Sequence, residues 1–134
     1  TLFPYTTLFR SIVKMFPGMS ETVLAAIFNI SNLKGIVLET YGAGNAPTED
    51  WFIHLLNQAI QNGIQVVNVT QCSAGSVNMG QYETSSAMKK IGVISGKDIT
   101  TEAAITKLMY LLGHTIVQND FKTVFETPLR GEIG

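Results

Sequence analysis

Two glycine-rich polar stretches hold most of the side chains in this 134-residue sequence that could bind or transform a ligand. The first covers residues 41–47 and contains Asn45, and the second covers residues 70–75 and contains Cys72. Glycines let a backbone approach a ligand closely, while amide, hydroxyl and thiol groups supply hydrogen-bond donors and acceptors. We therefore expect any site in this chain to be built from these two stretches.

The first stretch has some features of a phosphate-binding loop. Gly42-Ala43-Gly44-Asn45 lies between a predicted strand and a predicted helix, where backbone N–H groups can face an anion. The dinucleotide-binding fingerprint needs a third glycine, but Pro47 stands near that place, and the Lys-Ser or Lys-Thr pair of a P-loop is missing. The pattern disfavours nucleotide binding. It leaves a plain turn, or a loop in which Asn45 hydrogen-bonds a polar ligand or a neighbouring chain.

Cys72 is the one thiol in the sequence and so the one candidate for a cysteine nucleophile. A thiolate needs a base, usually histidine, and the two histidines are predicted inside a helix (His54) and at a helix end (His114). We interpret Cys72 as a small polar contact in a ligand loop. One cysteine and two distant histidines also lack metal-ligand spacing, so we predict no metal site.

The composition indicates one domain with a real core, since hydrophobic residues make up 46% and charged residues 14% of the sequence. The net charge of −1 indicates no basic face, so we expect neither nucleic acid nor a membrane surface as a partner. No apolar run approaches the roughly 18 residues that a membrane helix needs. A single cysteine excludes an internal disulfide and is compatible with the reducing cytoplasm.

Hydrophobic periodicity predicts strands that alternate with helices along the chain. The predicted strands cover residues 12–16, 36–41, 64–69 and 93–94, and the predicted helices cover residues 20–29, 47–61, 84–90, 101–112 and 114–125. This alternation predicts an α/β fold, in which a small parallel sheet of three or four strands is flanked by helices in a flavodoxin-like, three-layer arrangement. Ligands of such sheets bind outside the carboxyl ends of the strands, where both glycine-rich stretches begin.

Local signals set the predicted ends of these elements. Ser20 is the expected N-cap of the first helix, and Asn32 and Gly35 mark its end and the turn into the second strand. Asn62-Gly63 is expected to end the helix at 47–61, and Asp98 or Thr100 to cap the helix from 101. Residues from Pro128 onward are expected to form a tail. The apolar stripe expected for the helix at 47–61 consists of Trp51, Leu55, Ala59 and Ile60, widened by Phe52 and Leu56.

Residues 1–11 stand apart from the rest of the sequence. They resemble the in-frame translation of a common sequencing adapter, and they lack the charge and apolar core of a signal peptide. We therefore expect the natural sequence to begin near Ile12, part-way through a gene, and treat residues 12–134 as the domain.

Three separate strings carry a family resemblance. They are residues 34–47 (KGIVLETYGAGNAP), 67–80 (VNVTQCSAGSVNMG) and 99–112 (ITTEAAITKLMYLL). In this order they resemble the C-terminal domain of type I, cytoplasmic L-asparaginases of the asparaginase/glutaminase family. The resemblance extends from about Ile12 to the end of the chain.

The resemblance implies an amidohydrolase that converts L-asparagine and water to L-aspartate and ammonia without a metal or organic cofactor. The family's nucleophilic threonine and the threonine, lysine and aspartate that activate it lie in a larger N-terminal domain, which this chain lacks. The chain alone is therefore expected to be inactive. It would contribute to subunit assembly, as a homodimer or homotetramer in the cytoplasm, and to completion of the substrate site.

Two substrate-binding positions carry over from the related periplasmic enzymes, in which an Asn and a Glu reach the active site of a neighbouring subunit. Asn45 matches the Asn. The position of the Glu falls on Tyr82, with Glu83 one residue later. A carboxamide at a strand end can recognise the α-amino or carboxylate group of an amino acid, or hold a catalytic water.

Some bacterial type I enzymes are also activated by asparagine at a second site between subunits. The resemblance implies effector contacts from the region of Asn45 and from the candidate residues Glu39, Thr40, Tyr41, Thr70 and Cys72. An arginine replaces Glu39 in the regulated bacterial enzyme and could clamp a carboxylate, whereas Glu39 would repel it. Mammalian-like members carry Glu there as well, and a hyperbolic rate curve in asparagine would exclude the regulatory site.

A second interpretation is a non-catalytic module, with an asparaginase-like fold, that binds amino acids or mediates oligomerisation, as in some glutamyl-tRNA amidotransferase subunits. An upstream sequence with a tRNA-related extension would favour it. A receiver-like signalling domain is a poorer interpretation, because the strand ends lack the acidic cluster that binds magnesium in such domains.

Overall fold

The computed structural model describes residues 9–42, 46–72, 76, 83–114 and 118–134. In this part of the chain four strands alternate with helices, and two further helices follow. The elements are β1 (Phe9–Lys14), α1 (Glu21–Phe28), β2 (Leu33–Thr40), α2 (Asp50–Gln61), β3 (Gln65–Thr70), α3 (Glu83–Ile91), β4 (Ile94–Ser95), α4 (Thr101–Leu112) and α5 (Gln118–Glu126). None of the helices among these residues is long and apolar enough to cross a membrane.

The four strands form one parallel sheet in the order β1-β2-β3-β4. Right-handed crossovers that all step in one direction place their helices on one face of a sheet. Accordingly α1, α2 and α3 share one apolar core with the sheet, and α4 and α5 form a second core on the other face. The predicted α/β fold with a small parallel sheet and three layers is confirmed, but the sequential strand order differs from a flavodoxin-like order.

The first strand lies three residues earlier than the predicted 12–16. It covers Phe9–Lys14, and Met15 still donates its N–H to the carbonyl of Glu39 at 2.9 Å. A strand at the edge of a sheet is held by main-chain hydrogen bonds with one neighbour, so it does not need the apolar run on which the prediction rested. Phe16 is excluded because the chain turns away at Pro17-Gly18.

The helix ends follow the predicted caps. Ser20 accepts a hydrogen bond from the N–H of Thr22, and Thr100 accepts one from the N–H of Ala103 at 3.1 Å. At the end of α2, Asn62 is the C-cap and Gly63 takes a positive φ of 90°. These short-range signals were readable because each depends on neighbours within four residues.

Helix α2 starts later than predicted, and its buried face is shifted by about one residue from the predicted apolar stripe. Glu49 is its N-cap, without a side-chain hydrogen bond, so Pro47 and Thr48 precede the helix. The buried side chains are Phe52, Leu56 and Ala59, whereas Trp51, Leu55 and Ile60 are only partly buried. Large apolar side chains occupy adjacent positions in this helix, so the sequence did not show which member of each adjacent pair would be buried.

The prediction that Gly35 marks a turn was wrong, because Gly35 lies inside β2. Helix α4 approaches the sheet so closely there that a Cβ on residue 35 would lie 2.6 Å from Cδ2 of Leu108. The other residue predicted there, Asn32, does lie in the turn before β2 and has a φ of 64°. Glycine is thus needed for contact with a helix more than 60 residues away in sequence, a requirement that no local pattern reveals.

The segment from Pro128 onward packs against the domain instead of forming a loose tail. Ile133 is buried in the second core, and Lys107 of α4 donates to the carboxylate of Glu132 and, at 2.8 Å, to the carbonyl of Thr127. The ammonium of Lys107 also lies 5.1 Å from the ring centre of Phe125. We call Lys107, Glu132 and the Thr127 carbonyl the C-terminal pin.

Candidate functional site

The carboxyl ends of β2 and β3 lie side by side, with Thr40 directly opposite Thr70 in the parallel register. Glycine-rich segments follow each of these strands, as the sequence predicted. The ends are joined by hydrogen bonds from Thr40, Asn68, Thr70 and Gln71, which we call the strand-end network. These bonds fix where each loop leaves the sheet.

The deepest part of the network joins Thr40 to Asn68. Both side chains are fully buried, and the Thr40 hydroxyl donates to Oδ1 of Asn68 at 2.5 Å and lies 3.2 Å from the carbonyl oxygen of Val69. Buried polar groups of this kind are stable only when they are hydrogen-bonded. The hydroxyl of Thr40 is therefore engaged inside the domain, beneath the surface where a ligand would bind.

Thr70 connects the loop after β2 to the loop after β3. Its hydroxyl donates to the carbonyl of Gly42 at 2.5 Å and accepts from the N–H of Cys72 at 3.1 Å. Gly42 is the last described residue before the segment that carries Asn45. One hydroxyl thus holds the starting points of both loops.

Gln71 joins three strand ends. Its carboxamide N–H₂ donates to the carbonyls of Met15 at 2.6 Å and Glu39 at 2.8 Å, and its backbone N–H donates to the carbonyl of Thr40 at 2.8 Å. The side chain uses both of its donors on main-chain carbonyls at the sheet end, and the carbonyl of Glu39 also accepts the N–H of Met15. Gln71 therefore fixes the relative positions of the chain after β1, β2 and β3.

A polar groove of about 260 Å³ lies at this edge, between the end of β3 and the start of α4. Its lining residues are Glu39, Thr70, Gln71, Cys72, Asp98, Ile99, Thr100, Thr101 and Glu102. Three of these residues carry carboxylates, and one of them, Glu102, lies in the first turn of α4, where the helix dipole favours negative charge. Glu39 also lies 3.7 Å from the exposed ammonium of Lys14, a pair that solvent largely screens.

A second cavity, of about 280 Å³, lies on the other side of the β2 loop. It is lined by Tyr41 and Glu49 together with residues 17–19 and 46–48. Partial burial, followed by the nearby Glu49 carboxylate, raises the pKa of Tyr41 above its ordinary value of 10.0, so the phenol stays protonated and can donate a hydrogen bond at neutral pH.

The structure brings part of the predicted site set together. Glu39, Thr70 and Cys72 line the first groove, Tyr41 lines the neighbouring cavity, and Thr40 is buried beneath them. The two predicted substrate-binding residues, Asn45 and Tyr82, lie outside the described residues. The contacts of these residues with any ligand stay predictions.

The described groups at this edge can bind a ligand, but they do not pair the Cys72 thiol with a histidine. Cys72 is exposed, and neither histidine borders its groove: His54 is exposed on α2, and His114 lies 2.7 Å from the carbonyl of Tyr110 at the end of α4. Among the described residues no group of three His, Cys, Asp or Glu side chains could hold a metal ion.

Sequence reasoning did not find Asn68, Asp98 and Glu102 as members of this edge, and it included Gln71 in the stretch 70–75 without giving it a role. Asn68 lies within an apolar strand, and this position could have indicated a buried polar residue. Gln71 lies next to Cys72, and this position could have indicated a polar residue at the strand end. Their partners are 28 and 56 residues away in sequence, and so the contacts themselves were not predictable.

Comparisons with known proteins agree with the strings that carried the resemblance. The family model for the glutaminase/asparaginase C-terminal domain matches residues 11–125. L-asparaginase 1 of Escherichia coli K12 is 41% identical over 122 residues, which are 91% of this chain and 36% of that protein. The chain therefore spans about a third of the length of this relative.

A solved structure and a second kind of relative extend the comparison. The crystal structure of L-asparaginase I from Vibrio cholerae superimposes with a TM-score of 0.87 at 40% identity, over 93% of this chain and 37% of that one. A glutamyl-tRNA(Gln) amidotransferase subunit of Pyrococcus furiosus is 36% identical over 123 residues, 92% of this chain and 27% of that protein. The predicted family is confirmed: the chain belongs to the glutaminase/asparaginase C-terminal domain family.

Proposed function

We propose that this chain is the C-terminal third of a type I L-asparaginase, a cytoplasmic homo-oligomer that hydrolyses L-asparagine to L-aspartate and ammonia. The observation that carries the proposal is the match over 93% of this chain, at 40% identity, to an L-asparaginase I of which it covers 37%. The whole enzyme would act in amino-acid metabolism without metal or organic cofactor. Residues 12–134 would form its C-terminal domain, and residues 1–11 would be an adapter-derived, non-native segment.

The chain would bind and position, and the preceding domain would catalyse. The described residues offer carboxylates, hydroxyls and one thiol at the sheet edge, but no histidine in the groove with the thiol. A nucleophilic threonine, its activating partners and the oxyanion donors would come from the N-terminal part. This division supports the expectation that the isolated chain does not release ammonia from asparagine.

Asn45 and Tyr82 would complete the substrate site from the loops after β2 and β3. Support comes from the bond between Thr70 and the Gly42 carbonyl, which fixes the chain three residues before Asn45. A carboxamide in a loop after a strand can hydrogen-bond the ammonium or carboxylate of asparagine. The substrate site would thus depend on loops from this domain as well as on the catalytic domain.

The candidate effector residues Glu39, Thr70 and Cys72 line the groove at the end of β3, but this groove would not hold an amino-acid effector. Its carboxylates suit an α-amino group, but Glu39 opposes the effector's carboxylate. We therefore expect a hyperbolic dependence of rate on asparagine in the complete enzyme. A sigmoidal curve that Thr70→Val makes hyperbolic would instead show that the groove regulates the enzyme.

A second candidate is a non-catalytic amino-acid-binding or oligomerisation module. The observation that favours it is the 36% identity to a subunit of a glutamyl-tRNA(Gln) amidotransferase, over 92% of this chain. The same domain can therefore accompany different neighbours. The sequence upstream of Ile12 separates the two candidates, since a tRNA-related extension favours the second.

The test is an ammonia-release assay on two proteins. One is the isolated chain, and the other is a chimera that joins the part of E. coli L-asparaginase 1 preceding its match to residues 12–134 of this chain. The chain should be inactive and the chimera active, and Asn45→Ala should lower the chimera's rate about 100-fold. Gln58→Ala, at an exposed position on α2, is the matched control and should leave the rate unchanged.

Two results would refute this proposal. Ammonia release by the isolated chain would place catalytic groups within it. Equal rates for the Asn45→Ala and Gln58→Ala chimeras would remove the loop after β2 from the substrate site.

A further inference from the structure

Gln71 joins the ends of three strands at the carboxyl edge of the sheet. It lines the polar groove beside Cys72, and its carboxamide donates to the carbonyls of Met15 at 2.6 Å and Glu39 at 2.8 Å. Met15 directly follows β1, and Glu39 is the penultimate residue of β2. One side chain, from the chain after β3, therefore links the ends of the two neighbouring strands.

The two carbonyls that Gln71 binds lie just before the walls of the cavity of about 280 Å³ beside Tyr41, which we call the Tyr41 cavity. One wall consists of residues 17–19 and begins two residues after Met15, and the other begins with Tyr41, two residues after Glu39. So few intervening residues leave each wall little freedom to move independently of its carbonyl. The carboxamide therefore helps to set the distance between the two walls.

The sheet does not need this side chain for its own pairing. The backbone N–H of Met15 already joins the ends of β1 and β2 by donating to the carbonyl of Glu39, and the backbone N–H of Gln71 joins the ends of β2 and β3 by donating to the carbonyl of Thr40. The carboxamide adds two hydrogen bonds to this ladder at the point where the chain leaves the sheet. Its main effect should therefore be on the loops and not on the pairing of the strands.

The carboxamide is suited to hold a site in place before a ligand arrives. Its two N–H groups lie in one plane, and both are used on main-chain carbonyls, so the side chain is held in one orientation. The wall after β2 includes Tyr41 and Glu49, whose phenol and carboxylate are groups that bind polar ligands. A site whose walls are fixed in advance binds its ligand with a smaller loss of conformational entropy.

We propose that Gln71 is a positioning residue for the substrate site, because it sets the distance between the segments after β1 and β2 and so the place from which the loop with Asn45 starts. The inference rests on the proposed function, in which that loop completes the site for asparagine. Gln71 acts through the backbone and needs no contact with the substrate. Loss of its two hydrogen bonds weakens substrate binding more than it slows the chemical step, since the nucleophile belongs to the preceding domain.

The first test follows the ends of the strands in the isolated chain. Gln71→Met keeps the approximate length of the side chain but removes both N–H donors. Amide hydrogen exchange, followed by NMR, should be about tenfold faster at Met15 and Met19 in this variant, relative to Val37 in the buried middle of β2. Gln58→Met, at an exposed position on α2, is the matched control and should leave these ratios unchanged.

A shorter carboxamide provides a second variant if Gln71→Met does not fold. Gln71→Asn keeps the two donors on a side chain that is one methylene group shorter, so it should change the same exchange ratios in the same direction but by less. Unchanged ratios in the folded variants would show that the strand ends keep their positions without this carboxamide, and the proposal would be wrong.

The second test measures the effect on the substrate in the chimera of E. coli L-asparaginase 1 with residues 12–134. Gln71→Met should raise the KM for asparagine about tenfold and change kcat by less than about twofold. Lys107→Met removes the ammonium of the C-terminal pin, away from both cavities of this edge, and should leave KM unchanged although it destabilises the domain. Gln58→Met should leave both constants unchanged.

The outcomes separate this proposal from the proposed function. Equal increases of KM in Gln71→Met and Lys107→Met would assign the effect to lost stability and overturn the positioning role. An active chimera that Asn45→Ala impairs, but whose KM Gln71→Met does not change, would contradict the role of Gln71 alone. An inactive wild-type chimera would refute the proposed function and, with it, the role of Gln71 in substrate binding.

Discussion

The strand-end network and the C-terminal pin are two partly buried polar clusters that hold the chain in different ways. The network uses neutral groups, with Thr70 and Gln71 bonded to main-chain carbonyls and N–H groups. The pin uses an ion pair, in which the ammonium of the buried Lys107 meets the carboxylate of Glu132. The difference teaches that neutral hydrogen bonds are enough to fix where loops leave the sheet, whereas the C-terminal segment is held by an ion pair.

Removing the charge from the pin should have the largest effect on stability. Lys107→Met leaves the Glu132 carboxylate without its cation and the Thr127 carbonyl without its donor, so we expect the free energy of unfolding to fall by about 3 kcal/mol. Urea unfolding at pH 7 measures this free energy in the wild type and the variant. Lys122→Met, which removes the more exposed partner of Glu126, is the control and should cost less than about 0.5 kcal/mol. If both variants lose the same stability, the pin does not hold the C-terminal segment.

The neutral network should depend on the direction of its hydrogen bonds. Gln71→Glu keeps the shape of the side chain but points a carboxylate at the carbonyls of Met15 and Glu39, which should lower the unfolding free energy by about 2 kcal/mol. Gln58→Glu on the exposed side of α2 adds the same charge and should change the value by less than about 0.5 kcal/mol. A Gln71→Glu variant as stable as its control would show that the network does not need these donors.

The Thr70 hydroxyl can be tested with a pair of substitutions. Thr70→Val keeps the side-chain volume but leaves the Gly42 carbonyl and the Cys72 N–H unpaired, and we expect a loss of about 1.5 kcal/mol. Thr70→Ser keeps the hydroxyl and should therefore lose much less unfolding free energy than Thr70→Val. Thermal unfolding followed by circular dichroism compares them. Equal losses in the two variants would mean that the methyl group, and not the hydroxyl, matters at this position.

Acid should weaken the pin and leave the network unchanged. The hydrogen bond from Lys107, with backbone N–H groups of Arg130 and Leu129, lowers the pKa of Glu132 from 4.5 to about 2. Because the folded pKa lies below the unfolded one, the stabilisation is complete above about pH 4.5 and is lost as the pH falls towards 2. The stability difference between the wild type and Glu132→Gln should shrink over this range, by no more than about 1 kcal/mol because solvent screens the rim of the pin. A difference that is constant from pH 7 to pH 2 would contradict this assignment.

The parts of the fold that could be read from the sequence are those set by near neighbours. Ser20, Thr100 and Gly63 act on residues within a single turn of their own helix, and the apolar runs of β2 and β3 mark strands that are buried on both faces. The family was also readable, because three long strings appear in the right order. These features do not depend on how the helices pack across the sheet.

The parts that could not be read depend on distant partners. Gly35 meets α4, Gln71 meets the end of β1, and Glu132 meets Lys107. A glycine, a glutamine and a glutamate look ordinary in sequence, and only tertiary packing gives them their roles. The sequence could therefore place the candidate site at the ends of β2 and β3, but it could not predict the hydrogen bonds that fix these strand ends.

The DNA sequence upstream of the Ile12 codon tests the central claim most directly. The account predicts an open reading frame that continues for roughly 200 residues, the length by which the E. coli relative exceeds the match, and that encodes a nucleophilic threonine. A start codon immediately before Thr1 would contradict it. This chain would then be complete in itself, and a binding or assembly role would replace the enzyme.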